Sequence, residues 1–148
     1  MKIIQICPRC GQPGIKVNNK AVIYNLRKSA EAKRDVSLRW NACINPDCRC
    51  SYFIKDKEFT TEDLINPLFY KDKSDNVPVC YCSNLTRGEI KNAVENGCST
   101  ISEVQKFTKK KNTGNCEKMN PLGKCCKQVF LYTIKDKVEE LRIKKLKL

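Results

Sequence analysis

The 148-residue chain contains no histidine. That absence removes a Cys-His nucleophile, Rieske-type iron ligation and a catalytic zinc held by imidazole. With no serine or cysteine triad either, the sequence points away from hydrolase chemistry. Aromatic residues are scarce, 7% of the chain. Each half therefore has material for only a thin core, and small domains of that kind commonly take metals as staples. Long apolar runs are missing too: Met1 to Ile6 is interrupted by Gln5 and ended by Cys7, too short for a cleavable leader or a membrane span. This predicts a chain kept in a reducing cytoplasm, without membrane insertion. There are no internal repeats, no low-complexity stretch and no glycine-rich phosphate loop.

What is abundant is cysteine, eleven in all. In a reducing compartment closely spaced cysteines are metal ligands far more often than disulfides, and an odd count agrees. Eight of them form two quartets, Cys7-x2-Cys10 with Cys43-x4-Cys48, and Cys80-x-Cys82 with Cys116-x8-Cys125. A first-row metal held by four thiolates is zinc, or iron in an iron-sulfur cluster. The first quartet has the form of a structural zinc site: two knuckles, closed by folding of the segment between them, with no coordination position left open. Cys50 competes with Cys48 for the last place, although its position at the start of an apolar run suits a buried free thiol. In the second quartet the lone Tyr81 between two cysteines, after Pro78, holds two thiolates on a stiff extended backbone. That spacing suits a cluster better than a zinc knuckle. Cys126 competes with Cys125, and Cys98, near a helix end, reads as a small buried hydrophobe.

Around these sites the first half reads as short strands. Ile3 to Ile6 and Val36 to Ala42 each enter a knuckle, with Gly11 permitting the tight turn after Cys10. Ser51 to Ile54 and Glu58 to Thr61 flank a hairpin turn at Lys55-Asp56-Lys57. Ala21 to Arg34 mixes helix formers with charges and reads as a surface helix or a long loop. The charged run Lys71 to Asn76 marks a domain boundary. Beyond it the pattern turns helical: Thr86-x-x-Glu89 and Thr100-x-x-Glu103 are capping boxes, with Gly97 stopping the first helix. Asn112 to Lys124 reads as a loop. A last helix begins near Cys126 with Phe130, Ile134, Val138 and Leu141 on one face. The fold class is α+β, a β-rich subdomain over residues 1–72 followed by a helical one over residues 73–148.

The formal charge is +13, and two four-thiolate sites of about −2 each bring it to roughly +9. Much of the excess lies in Lys106 with Lys109 to Lys111, and in the tail from Lys135 to Lys147. Solvated helix faces account for both stretches more simply than a phosphate-binding surface.

Cys80-Tyr81-Cys82, a helical hairpin through Asn96-Gly97-Cys98-Ser99-Thr100, and a cysteine-bearing glycine loop leading into a helix together resemble the [2Fe-2S] domain of bacterioferritin-associated ferredoxins. The ferredoxin pattern ends in Cys-x2-Cys, whereas here Asn120-Pro121-Leu122-Gly123-Lys124 lengthens the gap before Cys125-Cys126. That insertion, together with Pro78-Val79-Cys80 and the N-terminal quartet, is similar to the N-terminal domain of CopZ-type copper chaperones. The resemblance implies zinc on Cys7, Cys10, Cys43 and Cys48, and a [2Fe-2S] cluster on Cys80, Cys82, Cys116 and Cys125. Gly123-Lys124-Cys125 resembles the Gly-x-Cys before the final ferredoxin helix, which favours Cys125 over Cys126. It further implies a non-enzymatic electron carrier supporting copper handling, by reduction of Cu(II) to Cu(I). Its partners would be a redox protein and a copper chaperone or copper-transporting ATPase. The Met-x-Cys-x-x-Cys loop that delivers copper in those chaperones is absent, and the methionines are Met1 and Met119 alone. Two other readings compete: a zinc-binding nucleic-acid module, disfavoured by the Cys-x-Cys geometry, and a metallochaperone binding copper through Cys50, Cys98 or Cys126.

Overall fold

The computed structural model describes residues 4–31 and 39–147. Its architecture is α+β. The first part is a four-stranded antiparallel sheet in the order β1 (Ile15–Lys16), β2 (Asn41–Ala42), β3 (Cys50–Ile54) and β4 (Lys57–Thr60). β3 and β4 form the expected hairpin, turning through Lys55, which takes a left-handed φ of 54°. A bulge between Cys50 and Tyr52 lets the buried Ser51 hydroxyl bond the carbonyls of Phe59 and Thr60 at 3.1 and 2.8 Å. The bulge also splits the strand between two environments. Tyr52 joins Trp40, Phe59, Val22, Leu26 and Leu64 in an apolar core, whereas Cys50 and Phe53 turn towards the first cysteine quartet.

The segment expected to be a surface helix or loop is instead a buried part of that core. It forms α1 (Asn19–Asn25), capped by Asn18, whose side chain accepts from Ala21 N at 2.7 Å, and α2 (Lys28–Glu31). Val22, Leu26 and Ala30 recur at four-residue steps and are all buried, so the helical stripe was present among the charges. Leu26 breaks the helix by turning extended and bridging Leu64. The remainder of the segment, and Val36 to Leu38, lie outside the described residues, as does Ile3. Ile6 makes a single bridge to Pro13 in place of a longer strand.

The second part begins with a two-stranded ribbon, β5 (Pro78–Cys80) and β6 (Leu85–Thr86), followed by α3 (Arg87–Glu95), α4 (Ile101–Thr108), α5 (Cys116–Met119) and α6 (Lys127–Leu146). Thr86 and Glu89 form a reciprocal capping box, Thr100 accepts from Glu103 N, and Gly97 ends α3 with φ 102°. α5 is a short helix inside the stretch expected to be a loop. On α6, Phe130 and Ile134 are buried, but Val138 is 41% exposed and Lys137 is 7% exposed. Steps of four and three hold the seam on one face of a 3.6-residue helix, so position 137 follows 134 inward. Its ammonium reaches Glu95 at 2.8 Å and Glu140 at 3.2 Å, while its aliphatic stem packs as a hydrophobe.

The halves are knitted together. Asn18 and Asn25 of the α1 region donate to the carbonyls of Glu117 and Lys118 at 3.1 and 3.3 Å, and the Tyr52 hydroxyl donates to Pro121 O. Gly123, at φ 68°, lies so close to Asn18 that a Cβ there would come within 2.3 Å of Nδ2. The charged run from Lys71 joins this seam: Arg87 bonds the carbonyls of Phe69, Asp72 and Ser74. No helix among the described residues is long and apolar enough to cross a membrane.

Candidate metal centres

Cys7 and Cys10 sit on a turn closed by Gly11 N donating to Cys7 O at 2.9 Å, with Gly11 at φ 76°. Cys43 follows β2, and Cys48 is held by its N–H to Asn45 O at 3.1 Å. These two knuckles bring the four sulfurs within 4.8 Å of one another. The Cys7–Cys48 and Cys10–Cys43 separations are 3.9 and 3.7 Å. Zinc bonded to sulfur at about 2.3 Å in a tetrahedron needs sulfurs about 3.8 Å apart. The donor set fits that ion, and all four of its positions are filled by the protein. Burial pushes the Cys43 thiol up to about 12, whereas the Gln12 backbone N–H chiefly draws Cys10 down to about 6.

Two further groups touch this set. Cys50 is fully buried, with its N–H on Cys48 Sγ at 3.5 Å and its own sulfur 3.8 Å from Tyr52 O, outside the four. Lys71 was not anticipated by any sequence signal. Its ammonium donates to Asn45 O at 2.8 Å and Cys48 O at 2.7 Å, and lies 3.6 Å from Cys43 Sγ. It thus fastens the loop between the last two cysteines and places a positive charge beside a site whose thiolates would carry excess negative charge.

In the second set Cys80 ends β5, Cys82 lies two residues on, and Cys116 opens α5. The Cys80–Cys82 sulfurs are 3.7 Å apart and the Cys82–Cys116 sulfurs 4.0 Å; each iron of a [2Fe-2S] cluster takes two thiolates, so Cys82 would share its iron with one of these neighbours and separate from the other. The adjacent cysteines at the final position separate. Cys125 is exposed; Cys126 is buried and begins α6 as its N-cap, with its sulfur turned to that of Cys80. That contact, first, draws Cys80 down to about 5 and pushes Cys126 up. A cavity of about 330 Å³ opens beside Cys80 and Cys126, walled by Ile101 and Phe130 and rimmed by Asn112, Cys125 and Lys127.

Asn112 is the second residue the sequence did not mark. Its amide lies 3.1 Å from Cys82 Sγ through Oδ1, and 3.5 and 3.9 Å from the sulfurs of Cys116 and Cys126 through Nδ2. Thr113 N donates to Cys82 Sγ at 3.4 Å. Half-buried Ser83, next to Cys82, has its hydroxyl oxygen shielded from solvent and set against the Cys80 thiol. The two sets differ a little in access: Cys10 is the half-buried member of the first, whereas Cys82 and Cys116 are both half-buried in the second, next to an exposed 111–115 loop. Cys98 is half-buried against the second core, its thiol 3.6 Å from Glu103 O.

Comparison with known proteins agrees with this division. Residues 4–65 match the family model of a CopZ zinc binding domain, and residues 78–135 match that of a BFD-like [2Fe-2S] binding domain. The chain is 26% identical over 121 residues to the copper chaperone CopZ of Archaeoglobus fulgidus, an alignment covering 81% of this chain and 57% of that protein. The chain therefore spans little more than half the length of that relative. The X-ray structure of the Archaeoglobus fulgidus CopZ N-terminal domain superposes with a TM-score of 0.68 at 24% identity, covering 82% of this chain and 92% of that one. Zinc and a [2Fe-2S] cluster are the cofactors of the chain.

Proposed function

We propose, for a chain that joins a CopZ-like zinc domain to a BFD-like [2Fe-2S] domain, that it is a one-electron carrier serving copper handling in a reducing cytoplasm. A closed four-cysteine set, its sulfurs within 4.8 Å of one another, joined to a matched [2Fe-2S] domain carries this reading. A four-thiolate zinc is redox-inert and closed to substrate, so it holds the fold; a bound [2Fe-2S] cluster supplies reversible one-electron chemistry. In this reading Cys7, Cys10, Cys43 and Cys48 hold the zinc, and Cys80, Cys82, Cys116 and Cys126 hold the cluster. Cys126 takes the place that the sequence spacing gave to Cys125, because its thiol is the one turned inward to Cys80. The functional boundary lies near residue 72, with zinc on residues 1–72 and the cluster on residues 73–148. The two parts nevertheless share their seam.

The relative's name, copper chaperone, supports copper as the eventual cargo. In this reading the contribution of these residues is the electron that converts Cu(II) to Cu(I) for a chaperone or transporter. The balance is one electron lost by the reduced cluster and one gained by copper. Asn112 and the Thr113 N–H hold the outer sulfurs, and Ile101 and Phe130 give the inner side apolar walls. Anaerobic mixing of the reduced, cluster-loaded protein with Cu(II) and a Cu(I)-specific chromophoric chelator tests the reading. One Cu(I) should appear per cluster reoxidised, with zinc retained. A cluster that stays reduced in the presence of Cu(II) refutes it.

A further inference from the structure

We infer that the cluster end carries a basic docking face for a redox partner with an acidic surface; this rests on the electron-carrier reading above. Five exposed lysines, Lys106, Lys109, Lys111, Lys124 and Lys127, flank the segments that bear Asn112, Cys116 and Cys126. None of the five forms an ion pair among the described residues. The tail of α6 differs, because Lys137, Arg142 and Lys144 are interleaved with Glu139 and Glu140 in ion pairs. Solvated helix pairing explains much of the tail charge and none of this cluster-side charge.

Helix dipoles do not explain it either. Lys106 and Lys109 end α4, where a cation is favoured, but Lys124 and Lys127 stand at the N-terminal end of α6, where a cation is disfavoured and no acidic residue offsets it. The placement runs against local stability and so calls for another cause. Lys127 lines the cavity beside Cys80 and Cys126, the other four lie on the segments leading to Asn112 and Cys126, and Phe107, 46% exposed, adds an apolar contact. Steering by such a face raises encounter rates with an oppositely charged protein and orients it with the cluster edge inward. On docking, one electron leaves the reduced cluster and enters the partner's oxidised centre, with no bond made or broken. A nucleic acid would also be attracted by the charge, but lysines placed next to the cluster cysteines favour a redox protein.

The test uses the full, cluster-loaded chain, reduced and mixed by stopped flow with hexacyanoferrate(III) or hexaammineruthenium(III). The anionic oxidant should react about tenfold faster at low salt than at high salt, and the cationic one should show the reverse trend. The variant K109Q/K111Q/K124Q/K127Q, checked by its visible spectrum and midpoint potential, should flatten both trends and lose binding to an acidic flavodoxin. Salt trends that persist in the variant overturn the inference. So does a change in midpoint potential that accounts for the rates, since the lysines would then serve the cluster itself. Duplex DNA bound more tightly than the flavodoxin overturns it as well. A loaded protein with no reducible cluster sinks the electron-carrier reading and this inference together, whereas a reducible cluster indifferent to surface charge sinks only this one.

Discussion

Replacing Lys71 by methionine keeps the aliphatic stem and removes the ammonium that bonds Asn45 O and Cys48 O at 2.8 and 2.7 Å beside Cys43 Sγ. A hydrogen bond from a charged donor contributes roughly 1.5–3 kcal/mol. The two carbonyls are only part-buried, so water recovers some of the loss and a net cost of about 2 kcal/mol is expected. Because zinc binding and folding of the knuckles are one process, that cost appears in metal affinity as a factor of about 30, at 1.36 kcal/mol per decade. The assay is anaerobic competition of the zinc-loaded protein with a chromophoric chelator, comparing wild type, K71M and K71R. K71M should release zinc to about 30-fold less chelator, with K71R between the two. Equal retention by K71M and wild type would refute the reasoning, showing that the loop between Cys43 and Cys48 is held without the lysine.

Two other substitutions probe the second centre and the seam. C126S should abolish the visible cluster spectrum while C125S preserves it; the opposite pattern, read by absorbance and iron content, returns the fourth place to Cys125. G123A imposes a left-handed φ of 68° on a residue with a Cβ and drives that Cβ into Asn18, so a loss of about 1–3 kcal/mol is expected in chemical denaturation. Unchanged stability would show that the 120–124 loop moves freely off α1.

The gathering of Cys7, Cys10, Cys43 and Cys48 was legible because metal-ligand spacing is a local pattern, and two knuckles need no knowledge of distant residues. Local chemistry also exposed the capping box at Thr86, the N-cap at Thr100, Gly97 as a stop, and the turn at Lys55. What stayed hidden depends on residues far apart in the chain. Lys71 reads as one charge in a charged run, and only folding brings it to Asn45 and Cys48. Asn112 precedes Thr-Gly in what spells a loop, and its amide meets three sulfurs from separate segments. α1 and α2 carried their apolar stripe at Val22, Leu26 and Ala30, but the charges around it suggested exposure. Val138 and Lys137 exchanged places because apolar character was weighed above helical phase. Two adjacent identical residues, Cys125 and Cys126, cannot be separated by composition; the start of α6 turns one inward and leaves the other in solvent.

The loop from Glu117 to Gly123 rests on α1, through the carbonyls of Glu117, Lys118 and Pro121 and the close approach of Gly123 to Asn18. That same loop spans the sequence between Cys116 and Cys126. A chain emerging from the ribosome completes Cys7 to Cys48, and the helix at Asn19–Asn25, well before either of those two sulfurs is made. The early part can thus serve as the template on which the late loop is shaped.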